Sequence, residues 1–460
     1  MHSTIKNIHF IGICGTAMGA VAAAIQQQGY HVTGSDSDVY PPMSTFLEEK
    51  GVTLTAGYSP NNLPANADLI VVGNAISRGN PELEAVLNKR LRYISLPETL
   101  KQFFLSGKHN LVVTGTHGKT TTTSLLTWIF QCAGLAPAYL IGGIAKNLGQ
   151  GCSLHPSRHV VIEGDEYDTA FFDKRSKFLH YLPELVIVNN LEFDHADIFK
   201  DLDEIKASFR RLMNIVPENG IVLVNGDDEH AVDVAHASRA PVLSVGFGEN
   251  AARRIEDAVY GSGAKFRLLE TEFTLKIPGE FNVRNAAMAI SAAHFYGIPL
   301  ETIQKAVESF EGVRRRQEVR GNARGITVID DFGHHPTAIT QTLRAMRHQY
   351  PERRIWAIFE PRSNTTRRAV FQEALPAALS EADGVILSQV NRLDKLPEDN
   401  RLNPLKVIED IARLGKPAFY EIGVPEIIAR LKPLVQSGDV IAVFSNGGFD
   451  NIHQRLLSDL

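Results

Sequence analysis

Apolar residues in this chain fall in short runs separated by segments of helical length. Residues 5–13 (Ile-Lys-Asn-Ile-His-Phe-Ile-Gly-Ile) predict a strand, 20–25 an apolar helix and 30–33 a second strand, with further strands at 69–73 and 93–95. A β-branched run at 111–114 then feeds a glycine-bearing loop, and 124–133 reads as the helix behind it. Strands are predicted at 159–162 and 185–188, followed by a polar, β-rich portion to residue 280 and an Ala-rich helix from Phe281. The remainder predicts strands at 326–329, 355–359, 384–387 and 440–444, the unit beginning near Gly325. Strands alternating with helices imply mostly parallel sheets covered by helices. The expected fold class is α/β in three domains: a Rossmann-like unit at 1–107, a central P-loop ATPase-like unit at 108–320 and a second Rossmann-like unit at 321–460. A chain of 460 residues is too long for one core, which agrees with that division.

Composition narrows the function classes. Net charge is −5 and no basic tract is long, so a nucleic-acid partner is not expected; the densest basic cluster is Arg314, Arg315 and Arg316. Cys14, Cys132 and Cys152 are too scattered for a disulfide framework or a thiolate metal site. No apolar run approaches the roughly 18 residues of a membrane span. The strand at 5–13 stands where a secretory leader would carry its apolar stretch, so a cytoplasmic enzyme is expected.

The chemistry starts at residues 114–121, Thr-Gly-Thr-His-Gly-Lys-Thr-Thr. Loop and helix N–H groups of such a stretch point at a phosphate, Lys119 adds a mobile positive charge, and Thr120 offers its hydroxyl to a Mg2+ bridging phosphate oxygens. The spacing is shorter than the usual G-x-x-x-x-G-K-[ST], because Val113 stands where the first glycine belongs. The alternative is a plain strand-to-helix turn. Glu163 and His195 follow two further strands, and ligands gather beyond the carboxyl ends of parallel strands. Both would then face the loop, where a hard cation takes oxygen ligands and tolerates an imidazole; otherwise His195 is a hydrogen-bonded surface histidine. Near the N-terminus, Gly12, Gly15 and Gly19 open a βαβ unit that ends at Ser35 and Asp36. This is a nucleotide site or a structural Rossmann turn, since fold does not fix function. Asn282 and Asn285 share one helix face and either pair adenine or serve as a cap and a surface amide.

Taken together, these motifs resemble the Mur ligase family, the ATP-dependent peptide ligases of cell-wall precursor synthesis. The resemblance runs through all three domains: residues 114–121, Glu163 in Glu-Gly-Asp-Glu-Tyr-Asp, Glu192-Phe193-Asp194-His195, Asn282 with Asn285, Arg315-Arg316, and Asp-Asp-Phe-Gly-His-His-Pro-Thr at 330–337. It implies that the first domain holds UDP-N-acetylmuramate, with Gly12, Gly15, Ser35 and Asp36 near the diphosphate and uridine. Gly115, Thr116, His117, Gly118, Lys119 and Thr120 would cradle ATP phosphates, with Lys119, Glu163 and His195 as the catalytic set. Thr120, Glu163 and His195 would hold Mg2+, Asn285 would read adenine, and Arg316 and Asp331 would reach the nucleotide. The stretches at 40–45, 171–178 (Phe-Phe-Asp-Lys-Arg-Ser-Lys-Phe), 194–199 and 360–365 (Glu-Pro-Arg-Ser-Asn-Thr) resemble the branch that recycles a murein tripeptide, L-alanyl-γ-D-glutamyl-meso-diaminopimelate. Arg362 and Asn364 would then bind that peptide, and a monomer is the favoured state. The rival within the family adds free L-alanine. Two departures stand out. Gly164 replaces the expected alanine, which leaves Glu163 intact and changes local stiffness. Arg210 and Arg211 fall near where some members carry a carbamoylated lysine, so a second Mg2+ held that way is not expected.

Overall fold

The computed structural model describes residues 5–391, 393 and 396–460. Its first sheet is wholly parallel, in the order Thr53–Ala56, His31–Asp36, Asn7–Ile11, Leu69–Val72, Tyr93–Ser95. The helices Thr16–Gln27 and Pro81–Asn88 cover opposite faces, the first through Val21, Ala22 and Ile25, the second through Leu83 and Val86. The strand Thr53–Ala56 escapes periodicity because it is an edge strand, mostly exposed and polar.

The central sheet has eight strands, ordered Arg253–Arg254, Val242–Gly246, Ile221–Asn225, Leu185–Val188, His109–Thr114, His159–Glu163, Ala138–Leu140, Cys152–Ser153, the last antiparallel. Its middle strand, His109–Thr114, pairs Val113 with Glu163 on one side and Thr114 with Val188 on the other. Three strand tips therefore end level, as the order of motifs implies. The helix behind the loop begins at Lys119 rather than 124 and runs to Cys132. Its first turns read as polar, Thr120 to Ser124, yet they are buried. The hydroxyls of Thr123, Ser124 and Thr127 each donate to the carbonyl four residues earlier at 2.7 Å, so they need no water.

The third sheet runs Glu318–Ala323, Ile326–Asp331, Val440–Phe444, Ile355–Phe359, Gly384–Ser388, Ala418–Glu421. Its first strand is antiparallel and largely exposed, and the expected boundary at 320/321 falls inside it. Its two faces bury separate cores, one around Leu343 and Leu375, the other around Ile427 and Ile452.

Gly164 does more than alter stiffness. A β-carbon there would stand 2.5 Å from Thr114 Cγ2 and 2.9 Å from Val112 Cγ1. Thr114 cannot simply rotate away, because its hydroxyl donates to the Ile187 carbonyl at 2.7 Å. Gly164→Ala is expected to destabilise the protein by roughly 1–3 kcal/mol, the cost of overpacking. Urea unfolding checks this; an unchanged midpoint would mean the strand pair has slack.

Candidate active site

A cavity of about 430 Å³ lies over the tips of the central sheet and against the third domain. The phosphate loop forms its floor. Gly118 caps the helix with φ +79°, and a β-carbon there would stand 2.3 Å from Asn285 Oδ1. Gly115 has φ +124° and packs against the backbone N–H groups of Asn189 and Asn190. The loop is strapped to those strand-end asparagines: Thr116 N–H donates to the Asn190 carbonyl at 2.9 Å, and His117 N–H to Asn190 Oδ1 at 2.8 Å. The Thr116 hydroxyl is also engaged, accepting from Glu192 N–H at 2.9 Å. Thr116 and His117 thus spend their N–H groups on Asn190. The open donors for an anion are those of the helix start, where Lys119, Thr120 and Thr121 line the cavity.

Two buried carboxylates stand beside the loop, and one of them takes both basic side chains. Glu163 accepts from the Thr120 hydroxyl at 2.9 Å and from Gly142 N–H at 2.7 Å. Burial pushes its pKa up, against the pull of Gly142 and Lys119. Lys119 Nζ instead lies 2.9 and 3.0 Å from the two oxygens of Glu166 and donates to the Gly115 carbonyl at 2.6 Å. Burial opposes the lysine charge, but Glu166 and Asp165 outweigh it and hold the pKa above the ordinary lysine value. His195, in the left-handed region at φ +56°, brings Nε2 to 2.9 Å from the same Glu166. Burial lowers the imidazole pKa, but Glu166 outweighs it and leaves the pKa raised. Thr120, Glu163 and His195 therefore share one cavity, with Thr120 and Glu163 in contact and His195 turned to Glu166. A buried carboxylate beside a hydroxyl, with no ion-pair partner among the described residues, fits a hard dication.

The linker and the third domain close the wall. Arg316 lies over the Phe332 ring, 5.0 Å from its centre, whereas Arg315 is tied to the Ser445 and Gly447 carbonyls. Asp331 accepts from Gln317 and Gly333 N–H at 2.8 and 2.7 Å, and burial raises its pKa. Asn285 and Asn282 face each other at 3.5 Å. Arg316, Asp331 and both asparagines line the cavity.

A second cavity, of about 960 Å³, opens at the first glycine loop and is lined by Gly12, Gly15 and Asp36. Asp36 accepts from Cys14 N–H at 2.8 Å, holding that loop. Ser35 is not on the wall. Its side chain is buried and donates to Glu82 at 2.8 Å, while its carbonyl accepts from Gly12 and Ile13 N–H. In a strand successive side chains alternate, so Ser35 must point away from the face that Asp36 presents. Arg362 and Asn364 line neither cavity. Arg362 is half exposed, 3.7 Å from Glu360 and packed beside Gly447. Asn364 donates to Asp197 at 2.7 Å, joining the third domain to the central one. Arg210 pairs with Asp233 at 2.8 Å on the helix Leu202–Met213. Glu166 receives no role from the sequence, although it lies in the same acidic stretch as Glu163; a second acid three residues on is its one signal.

Three family models match the chain: Mur ligase family, catalytic domain, at residues 7–107; Mur ligase middle domain at 113–293; and Mur ligase, glutamate ligase domain, at 315–447. The chain therefore belongs to the Mur ligase family, whose members are ATP-dependent amide-bond-forming ligases. It is 43% identical to the UDP-N-acetylmuramate–L-alanyl-γ-D-glutamyl-meso-2,6-diaminoheptandioate ligase of Haemophilus influenzae over 99% of each chain. The enzyme of the same name from Escherichia coli is 42% identical over 98% of each. Among solved structures, a murein peptide ligase from Psychrobacter arcticus shares 36% identity over 99% of this chain and 98% of that one, with a TM-score of 0.73. A UDP-N-acetylmuramate–alanine ligase from Thermotoga maritima, 24% identical over 99% of each chain with a TM-score of 0.78, supports the fold alone.

Glu166 generates a test of this geometry. Removing one partner of a buried ion pair costs roughly 3–5 kcal/mol, so Glu166→Gln is expected to lower thermal stability markedly. Nucleotide phosphates would supply the lost counter-charge to Lys119. ATP is therefore expected to raise the melting temperature of the variant by more than that of wild type. Equal shifts would show that Glu166 and phosphate do not compete for Lys119.

Proposed function

We propose that this enzyme joins the lactyl carboxylate of UDP-N-acetylmuramate to the amino group of L-alanyl-γ-D-glutamyl-meso-diaminopimelate, in the cytoplasm, as a step of peptidoglycan recycling. The observation that carries the reading is the cavity in which a helix start, Lys119, the Thr120–Glu163 pair and Arg316 meet. The names of the relatives at 42–43% identity supply the substrates. In this reading the first-domain cavity around Gly12, Gly15 and Asp36 takes the UDP portion, and the larger set of cavity residues takes ATP. Lys119 swings from Glu166 to the phosphates, Arg316 approaches them from the linker and Asp331 from the third domain, and Asn285 meets the adenine. Thr120, Glu163 and His195 would hold Mg2+, which when bound offsets the charge on the transferring phosphoryl group.

The sugar carboxylate attacks the γ-phosphate, ADP leaves, and an acyl phosphate forms. The peptide amine then attacks the acyl carbon, and collapse of the tetrahedral oxyanion releases phosphate and leaves the amide. Lys119 and the helix-start N–H groups stabilise the charge that develops in the first step. Enclosure between the second and third domains keeps water from the acyl phosphate.

Phosphate release with UDP-N-acetylmuramate plus tripeptide, compared with L-alanine, tests the reading. The tripeptide is expected to be the better substrate; preference for alanine would overturn it in favour of the synthetic ligase. Lys119→Ala is expected to cut turnover roughly a hundredfold or more, as when one transition-state donor is lost. Turnover within about threefold of wild type, under 1 kcal/mol, would remove the lysine from the mechanism. Arg362 is assigned to a peptide carboxylate because its guanidinium is half exposed beside Gly447, and a planar fork pairs two carboxylate oxygens. Arg362→Lys should raise the KM for tripeptide and leave those for ATP and UDP-N-acetylmuramate unchanged. A joint rise in all three, or none, would show that Arg362 does not anchor the peptide.

A further inference from the structure

One side-chain cluster at the edge of the cavity, two of whose members, His117 and His335, line its wall, is not required by that chemistry. His117 on the phosphate loop, Glu192 beyond the strand Leu185–Val188 and His335 at the start of the helix Pro336–Gln349 each place one ligand atom within 4.8 Å of the other two. Among the described residues this is the group of histidine, cysteine and acidic side chains so arranged. Glu192 Oε2 lies 3.3 Å from His117 Nε2 and 3.2 Å from His335 Nδ1. Donors bound tetrahedrally at 2.0–2.1 Å from zinc stand about 3.3–3.4 Å apart, so two edges of such a site are already in place.

The protons explain why a cation belongs there. Thr337 N–H donates to His335 Nδ1 at 3.2 Å, which leaves the ring proton on Nε2, 3.3 Å from the Phe193 carbonyl. Nδ1 then confronts a carboxylate oxygen with no proton between them. The other tautomer sets Nδ1–H against Thr337 N–H and a bare Nε2 against the Phe193 carbonyl. Double protonation would set Nδ1–H against Thr337 N–H in the same way. A dication shared by Nδ1, Oε2 and His117 Nε2 resolves the conflict and takes Nδ1 from a long cap bond. The outer contacts suit it too: Nε2–H aims at a backbone carbonyl, and the Thr337 hydroxyl donates to Glu192 Oε2 at 2.7 Å.

We propose that His117, Glu192 and His335 bind one borderline transition-metal dication of the zinc class, with water completing its coordination. Two imidazoles and one carboxylate favour such an ion over Mg2+, which prefers oxygen donors. The Glu192 side chain is 32% exposed, leaving a way in for the ion and its water. His335 belongs to the third domain and His117 to the phosphate loop, so the bound ion clamps one onto the other. This site is separate from the Thr120–Glu163 pair and does not depend on the reaction proposed above.

The test uses the full chain in excess Mg2+, titrated with Co2+ and followed by visible absorption, with Zn2+ binding measured by equilibrium dialysis. One Co2+ per chain with the intense bands of four-coordinate cobalt is expected. Glu192→Gln and His335→Gln, which lie in different domains and are checked for folding by circular dichroism, should each weaken binding of both ions roughly tenfold or more. Glu163→Gln should bind as wild type does. Only the weak bands of six-coordinate cobalt, unchanged affinity in both folded variants, or loss of binding in Glu163→Gln would overturn the proposal. Thiolate charge-transfer bands would also overturn it by assigning the ion to a cysteine such as the exposed Cys132.

Discussion

One carboxylate, Glu166, holds two basic side chains of the cavity at once. Its side chain is 4% exposed and meets Lys119 Nζ and His195 Nε2, both at 2.9 Å. A buried anion is tolerable only when paired and hydrogen-bonded, and here both conditions are met by groups that start on different strands. The consequence falls on Glu163. With Lys119 committed to Glu166, Glu163 keeps one hydroxyl and one N–H as its partners, and burial raises its pKa. The cavity is thus divided into a neutralised half and a half short of positive charge. A phosphate chain entering at the helix start would compete with Glu166 for Lys119, and any success leaves His195 as Glu166's remaining close basic partner. In the proposed reaction, nucleotide binding and the placement of His195 are therefore coupled through Glu166.

Much of the site is legible in the order of strands and motifs along the chain. Parallel strands ending in Thr114, Glu163 and Val188 have to place their following residues on one edge, and the register does so. What the sequence hides has physical reasons. The helix behind the loop starts at Lys119 because threonine and serine hydroxyls satisfy themselves on carbonyls four residues back, which makes a polar run fit for burial. The motif puts Ser35 near a ligand, but alternation along the strand turns it toward Glu82. The role of Glu166 is hidden because its partners are separated from it by 47 and 29 residues, and no local periodicity reports such pairs. The edge strands Thr53–Ala56 and Glu318–Ala323 are polar because edges are exposed, so the signal that marks the inner strands is absent from them.

The asparagines after Val188 hold the shape of the loop. Asn190 accepts the Thr116 and His117 N–H groups, and the Asn189 amide donates to the Thr122 hydroxyl at 3.1 Å. Preorganisation of this kind lowers the ordering cost paid when an anion binds. It also consumes two donors that the motif alone assigns to phosphate, which leaves the anion to the helix start and the mobile lysine.

The contacts between the central and third domains around this loop are polar. Thr337 donates to Glu192 at 2.7 Å, Asn364 to Asp197 at 2.7 Å, and Ala196 N–H to the Thr365 hydroxyl at 3.3 Å. A hydrogen bond of this type contributes a net ~0.5–1.5 kcal/mol at most sites, because water replaces it when it breaks. An interface built from such bonds opens at a small cost, unlike one built from buried apolar surface. Two substrates and a nucleotide must enter the space between these domains, and an acyl phosphate must then be kept from water in it. In the proposed reaction a hydrogen-bonded seam would meet both demands: it would let the third domain lift for entry, and its donors and acceptors would re-form the same seating afterwards.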